Sequence, residues 1–185
     1  MTPAGSSPVH ALGAARRERQ VAAHTWLLES AADRQTAATE WIMQGLALLT
    51  AGVTWDAVRV PCALLDPDFD RSTEPAVLRR RVEELDVAGP VFCDPYRPHL
   101  YFMVPPGTDR DWPQDLAPAG VECLGGTRPY IHHVGIPRPD RIAPPGPYWL
   151  TSPNSGARRH VVAHRLYEVL HACAARPEPT GPSTP

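Results

Sequence analysis

The sequence GPVFCDPYRPHLYFMVPP, residues 89–106, contains two strand-like apolar runs with a polar turn between them, and the other predicted elements are arranged around it. The first run is VFC and the second is LYFMV, both rich in the aromatic and branched residues that strands favour. Residues 94–99 separate them and contain two prolines, which a central strand does not accommodate. The sequence therefore predicts two buried strands around a turn that carries Arg97 and leads into His99.

A second pair of strands is predicted at residues 120–124 and 130–136, which flank a pair of glycines typical of a turn. Glu122 alternates with apolar neighbours, so its side chain is expected to point away from theirs, toward solvent. The turn between the first two strands cannot be buried without stranding backbone polar groups. We therefore expect Arg97 and His99 to face an open cleft.

The overall composition indicates a single domain that is not strongly basic. Its 185 residues are 43% hydrophobic, which suffices for one core. The net charge of −2 argues against a large footprint on duplex nucleic acid. All 18 basic residues are arginine, which indicates a GC-rich genome, and we expect a bacterial protein. Residues 1–13 and 176–185 are rich in Pro, Gly, Ser and Thr, so they are predicted as disordered tails around a domain at 14–175.

The cysteines and the apolar runs favour a cytoplasmic location. The 4 cysteines show no CxxC spacing, so neither a zinc knuckle nor a redox pair is predicted. The N-terminus lacks the apolar segment of a signal peptide. No run approaches the ~20 apolar residues that a membrane helix needs. We therefore expect a cytoplasmic protein without a membrane partner.

The predicted elements define an α+β fold, an α/β sandwich in which helices flank one small mixed sheet. Asp33 is predicted to cap the second helix, and Pro75 to open the third. The predicted helices span residues 14–32, 37–50, 75–85 and 160–174. The predicted strands of the single sheet span residues 54–60, 90–93, 100–104, 120–124 and 130–136.

Several segments taken in order resemble the N-terminal domain of bifunctional DNA primase/polymerases, a branch of the archaeo-eukaryotic primase superfamily. They are the Ala-rich segment 37–49, HLYFMVP at 99–105, VECLGG at 121–126, the segment 130–137, and GPYW at 146–149. The resemblance covers roughly residues 37–150. It implies a primase/polymerase-like fold and DNA replication chemistry that depends on Mg²⁺ or Mn²⁺.

The same resemblance implies roles for individual residues. His99 and Glu122 match positions expected to be catalytic, and His99 can also contact a ligand phosphate. Arg97, Arg128 and Tyr130 are expected to bind a nucleotide or nucleic acid together with His99. Charged groups of this kind bind phosphate without a metal.

The chain departs from the family where two alternate strand carboxylates should hold the metal ions. The strand WDAVR, residues 55–59, has Asp56 and then Arg59 in the place of a second acid. The nearest pair of acids is Asp66 and Asp68, which Pro67 places in a loop. If metal binds, Asp66 and Asp68 are its expected ligands, but we favour loss of the catalytic pair.

Three functions stay open at this point. The first is a degenerate primase/polymerase-like domain that binds nucleotide or nucleic acid with little catalysis. The second is an active, metal-dependent nucleotidyltransferase that uses Asp66 and Asp68. The third is a structural or regulatory module that binds a protein partner through a proline-rich, aromatic surface at Tyr130, Tyr148 and Trp149.

Overall fold

A computed structural model describes residues 8–127, 129–155 and 158–176. Helices and antiparallel strands are both present in this part of the chain, which confirms the predicted α+β class. A 3-10 helix at Gln114–Ala119 follows the short helix Thr108–Asp111. The helices are α1 (Pro8–Leu28), α2 (Arg34–Gln44), α3 (Cys62–Leu65), α4 (Pro75–Glu84), α5 (Thr108–Asp111) and α6 (Ala163–Ala174). The strands are β1 (Leu46–Thr50), β2 (Asp56–Pro61), β3 (Val91–Asp94), β4 (His99–Val104), β5 (Glu122–Leu124), β6 (His133–Pro137) and β7 (Tyr148–Thr151).

The main sheet has 5 strands in the order β5-β2-β4-β3-β7, and all of its pairings are antiparallel. Strands β3 and β4 form the predicted hairpin, with Asp94 opposite His99 at its turn. The turn itself is exposed, as the sequence predicts from its prolines. The stretch from 89 to 106 therefore lies in the middle of the sheet, with pairing partners on both sides.

The predicted single mixed sheet is wrong, because β1 and β6 form a separate antiparallel sheet of 2 strands. Helix α2 does not continue to residue 50. It ends at Gln44, since Gly45 adopts a left-handed conformation with φ of 72° and donates its N–H to the Trp41 carbonyl. The apolar residues that follow include Leu48, which is exposed on β1 rather than packed on a helix.

Alternation along the strands gives each face of the main sheet its own core. On one face Val58, Phe102 and Leu150 pack with α4, α6 and the 3-10 helix. On the other face Ala57 and Met103 pack beneath α1, α2 and the small sheet. We call this second face the upper face. The small sheet covers only part of it, which leaves the rest available for a site.

Two tryptophans attach the small sheet to its neighbours. The indole N–H of Trp41 on α2 donates to the Ile136 carbonyl over 2.9 Å, and the indole N–H of Trp149 on β7 donates to the Pro137 carbonyl over 3.1 Å. Both side chains are at most 1% exposed. Strand β6 is thus bonded from the helix above and from the main sheet below.

Several predicted boundaries need correction. Helix α1 begins at Pro8, so residues 8–13 are helical rather than part of a tail. Helix α6 begins at Ala163, three residues after the predicted start. The sequence pattern does not predict strand β7, because prolines crowd both of its ends. The other residues of the predicted tails, 1–7 and 177–185, lie outside the described residues.

The capping predictions are confirmed. The Asp33 side chain accepts the backbone N–H of Thr36 over 2.6 Å, which satisfies a donor that the first turn of α2 leaves free. This bond holds the pKa of Asp33 below its ordinary value. Pro75 occupies the first turn of α4, where its missing N–H removes no helical hydrogen bond.

Candidate functional site

One row of side chains crosses all 5 strands of the main sheet on its upper face. The cross-strand partners are Glu122 on β5, Arg59 on β2, Tyr101 on β4, Phe92 on β3 and Trp149 on β7. Directly opposed residues in an antiparallel sheet project to the same side. The row therefore places an acid, a base and three aromatic rings side by side. The neighbours Arg59 and Glu122 are 63 residues apart in the sequence, and the two ends of the row, Glu122 and Trp149, are 27 residues apart.

Exposure rises along this row from one edge of the sheet to the other. Trp149 and Phe92 are buried, Tyr101 is half-buried, and the side chains of Arg59 and Glu122 are 35% and 47% exposed. Tyr101 still packs against the covered core, and the more exposed Arg59 and Glu122 follow it in the row, so the border of the covered area crosses the row here. We call the uncovered part of the upper face the open half; it comprises Asp94, His99, Tyr101, Arg59 and Glu122.

An ion pair joins the two edge-side members of the row. Arg59 Nη2 donates to Glu122 Oε2 over 2.6 Å, and the imidazole Nε2 of His132 lies 3.9 Å from the other carboxylate oxygen. The Arg59 Nε atom is enclosed and has no hydrogen-bond partner among the described residues. Glu122 thus pairs with the guanidinium, and the Arg59 side chain also contacts the Tyr101 hydroxyl.

Tyr101 stands between Phe92 and Arg59. Its ring is parallel to that of Phe92, with 4.5 Å between the ring centroids and 1° between the ring planes. Burial raises the pKa of Tyr101, the nearby Asp94 charge adds to this, and the charges of Arg59 and Arg97 oppose it. The tyrosine therefore offers a neutral hydroxyl to the open half.

His99 and Arg97 lie at the turn end of the open half. His99 is half-buried, and its Nδ1 is 3.0 Å from the carbonyl oxygen of Arg97, whose own side chain is exposed. The backbone N–H of Tyr96 donates to Asp94 Oδ1 over 3.0 Å, which fixes the turn. Because His99 Nδ1 contacts the Arg97 carbonyl, Nε2 is the ring nitrogen that can bind a ligand.

The structure puts His99 and Glu122 on the same face, as a shared site requires. Glu122 points away from the apolar neighbours that face the helical core, which confirms the predicted alternation. His99 lies on β4 and Glu122 on β5, with β2 between them. Two strand spacings, about 10 Å, separate them across the sheet, and they are also two residues, about 7 Å, apart along it, because His99 lies opposite Pro61 and Glu122 lies opposite Arg59.

Asp56 faces the opposite side of the sheet and belongs to a different cluster. It is fully buried, and its Oδ2 accepts the backbone N–H of Asp109 over 3.0 Å. Burial, together with the adjacent Asp109 carboxylate, raises the pKa of Asp56 to about 6. Its alternation with Val58 and Val60 is the reason that it cannot join Glu122 on the upper face.

Asp109, which is half-buried, completes this carboxyl pair. Burial would raise its pKa, but hydrogen bonds from Thr127, one of them from the backbone N–H over 2.8 Å, leave the pKa of Asp109 below its ordinary value. One oxygen of each carboxyl, Asp56 Oδ1 and Asp109 Oδ1, is enclosed and has no partner among the residues that the structure describes. A side chain at Gly125 would collide with the Asp109 carboxylate, so the glycine makes room for the pair.

The predicted metal ligands Asp66 and Asp68 lie in a turn after α3. Asp66 Oδ1 accepts the backbone N–H of Asp68 over 3.0 Å, which is an ordinary turn contact. The preceding residue, Leu65, belongs to the helical core on the face opposite the open half, and Arg81 of α4 donates to its carbonyl. The chain thus leaves the sheet toward α4 before it reaches these acids.

The other predicted binding residues differ in where they lie and in how exposed they are. Arg128 lies outside the described residues. Tyr130 is 74% exposed and follows β5, on the connection that leads to His132. Tyr148 and Trp149 are at most 1% exposed, so the expected surface for a protein partner is wrong at these two positions.

The acids of the open half are too far apart to share metal ions. Glu122 and Asp94 lie on β5 and β3, three strand positions apart, which corresponds to roughly 14 Å. Two-metal sites hold their ions about 3.5–4 Å apart. Over the ranges 8–127, 129–155 and 158–176, no group of three His, Cys, Asp or Glu side chains is placed to hold a metal ion.

The open cleft expected at His99 and Arg97 stays a prediction. Four cavities of about 310 to 520 Å³ lie elsewhere in the described part of the chain, and neither residue lines any of them. The largest two lie beside α2 and between α4 and the chain after β7. A ligand of the open half would therefore stay partly in solvent.

Sequence reasoning misses Arg59 and Tyr101 as site residues, and it misses the Asp56–Asp109 pair. Tyr101 follows His99 by two residues on one strand, and this spacing signals a shared face. The apolar neighbours of Asp56 signal that it is buried. Nothing in the sequence signals that Asp109 is its partner, because 53 residues separate them.

Comparisons of the chain with protein-family models, with curated proteins and with solved structures give no match. The resemblance to primase/polymerase domains therefore stays a prediction. Among the helices of the described ranges, none is both long enough and apolar enough to cross a membrane.

Proposed function

We propose that this protein binds a phosphate-bearing ligand, a nucleotide or a single strand of nucleic acid, on the open half without two-metal catalysis. The observation that supports this most is the grouping of Arg59, Tyr101 and His99 on one uncovered surface, with Arg97 at its rim. A guanidinium, a hydroxyl and an imidazole are all groups that donate hydrogen bonds to phosphate oxygens.

Recognition through phosphate fits this surface better than stacking of bases. Proteins that stack bases on a sheet need an aromatic face open to solvent. The ring of Tyr101 stands beside Phe92 on one strand and Arg59 on the other, so its faces are flanked within the row. Its hydroxyl edge is the part that a ligand meets.

The charges of the open half predict modest affinity. Arg59 and Arg97 are balanced by Glu122 and Asp94, so attraction of phosphate depends on local contacts and not on a broad positive field. Each phosphate contact contributes to the salt dependence of binding. A ligand held by one or two such contacts should show a shallow dependence of affinity on salt.

The degenerate reading is preferred over an active nucleotidyltransferase because the sheet lacks paired acids on the open half. Ala57 and Arg59 occupy alternate positions of β2 on that face, and the one acid of this strand, Asp56, faces the other core. We expect no template-directed incorporation of nucleotides with Mn²⁺. Incorporation that disappears in Asp66→Ala or Asp68→Ala would contradict the proposal and support the active enzyme.

The decisive binding test is Arg59→Gln. We expect wild-type protein to bind a fluorescent ATP analogue or a labelled thymidine oligonucleotide, and the variant to bind the same probe at least about tenfold more weakly, because a charge-assisted contact is lost. The matched control is Arg80→Gln, since Arg80 is an exposed arginine of α4. Equal loss in both variants would show that the open half is not the site.

A protein-binding role is the second candidate, and one observation favours it. Ile42 and Met43 at the end of α2 are 75% and 77% exposed, and Leu48 of the adjoining β1 is 59% exposed. Neighbouring exposed apolar side chains of this kind are typical of interaction surfaces. Replacement of Met43 by Lys would leave the binding of the phosphate probes unchanged and weaken only contacts with such a partner.

A further inference from the structure

Arg59 is already occupied by an acid of the same protein. Its Nη2 donates to Glu122 Oε2 over 2.6 Å, while its Nε is enclosed and out of reach of a ligand. A ligand phosphate that approaches the guanidinium therefore meets a carboxylate with the same hydrogen-bonding geometry. Carboxylate and phosphate oxygens compete for the same fork of guanidinium donors.

The ion pair is weak enough to be displaced. Both side chains are partly in solvent, where water and salt screen their attraction. Glu122 also has a second neighbour on the sheet edge, because His132 Nε2 lies 3.9 Å from its Oε1. The carboxylate can turn toward His132 when a ligand takes its place at Arg59.

The charge of the ligand decides the result of this competition. A phosphodiester carries one negative charge, as the Glu122 carboxylate does, so exchange of one for the other at Arg59 gains little Coulomb energy. A phosphate monoester carries about 1.5 to 2 negative charges at neutral pH, and pyrophosphate carries more. The more highly charged group has the advantage over the carboxylate.

We infer that Glu122 is a built-in competitor for Arg59, and that it lowers the affinity of the open half for every phosphate ligand that must displace it. The inference rests on the proposed function and adds an internal restraint on that site. Glu122 acts here through Arg59, as a positioning residue for the guanidinium.

The experiment compares three probes on wild-type protein and Glu122→Gln at low salt. They are a 3′-labelled thymidine oligonucleotide with a 5′-hydroxyl, the same oligonucleotide with a 5′-phosphate, and inorganic pyrophosphate as a competitor. The matched control is Glu83→Gln, an exposed acid of α4. The two phosphorylated probes also distinguish a strand end from a free polyphosphate as the source of the group.

Wild-type protein should bind the 5′-hydroxyl oligonucleotide more weakly than the 5′-phosphate oligonucleotide or pyrophosphate. In Glu122→Gln the affinity for all three probes should rise about two- to fivefold, the change expected from loss of one exposed ion pair. Glu122→Ala should act in the same direction, and Glu83→Gln should change none of the affinities. A merely structural role of Glu122 would lower the affinities or leave them unchanged.

Two results would overturn the inference. If Glu122→Gln leaves the affinities unchanged or lowers them while Arg59→Gln still loses binding, Glu122 does not compete and the proposed function stands. If no probe binds wild-type protein, the proposed function fails and the inference fails with it.

Discussion

The covered part and the open half of the upper face belong to the same strands but differ in what lies above them. Beneath the small sheet, Ala57, Met103 and Leu124 are at most 7% exposed and pack with tryptophans. Two residues further along those strands, Arg59, Tyr101 and Glu122 reach solvent. A displacement of two residues, about 7 Å along a strand, thus separates the core from a polar surface.

This difference indicates that the small sheet, and not the main sheet, sets the limits of the candidate site. The pairing of β1 with β6 ends at Leu46 and Pro137 on one side and at Thr50 and His133 on the other. The strands beneath continue past it. On the upper face of the main sheet, the charged residues lie where this cover is missing, because a buried charge without a partner is strongly unfavourable.

The largest expected effect is loss of the covered part through Trp149→Ala. The side chain is fully buried, and its indole N–H donates to the Pro137 carbonyl. Its ring packs edge to face on Phe92, with 5.3 Å between the ring centroids. Truncation should lower the free energy of unfolding by about 3–5 kcal/mol in urea titrations. The control Tyr96→Ala removes an aromatic that is 72% exposed, and it should change stability little. Similar losses in both would contradict the division of the face.

An intermediate effect should come from Asp56, which lies under the main sheet. Its folded pKa of about 6 exceeds its ordinary value of 3.8, so the protonated carboxyl contributes stability that is full below about pH 4 and is lost as the pH rises through 6. Asp56→Asn should remove this decline and stabilise the protein at pH 8 by up to about 3 kcal/mol. Thermal unfolding between pH 4 and pH 8 measures the decline.

The control for this experiment is Asp111→Asn, an exposed acid on the same short helix as Asp109. It should leave the pH dependence of wild-type protein unchanged. A greater decline of stability between pH 5 and pH 8 in Asp56→Asn than in wild-type protein would show that the buried pair is stable as two carboxylates. Asp109, whose pKa is lowered, contributes stability that is lost only on further acidification.

The smallest effect on stability is expected for His99→Ala on the open half. Its side chain bonds only the Arg97 carbonyl of its own turn, so its removal should change the free energy of unfolding by about 0.5 kcal/mol or less. Binding of the phosphate probes should nevertheless weaken. A loss of several kcal/mol, comparable to that of Trp149→Ala, would make His99 a core residue and remove it from the site.

Local patterns allow the hairpin, the caps and the direction of Glu122 to be predicted. The aromatic and branched runs around residues 94–99, the Asp33 cap and the alternation about Glu122 each depend on residues that are close in sequence. The apolar run after Gly45 is compatible with both helix and strand, which is why its strand character escapes prediction. The run forms a strand because Gly45 ends the helix in a left-handed conformation and because β6, which is distant in sequence, pairs with it.

For the strands that the sequence predicts, alternation indicates which residues share a face, because it is a property of a single extended chain. The sequence also shows that no second acid follows Asp56 within β2. The contacts of Arg59 with Glu122, and of Asp56 with Asp109 on the other face, form only in the folded chain. These contacts depend on the order and register of strands and loops from distant parts of the chain, and such pairings follow from the packing of the whole core.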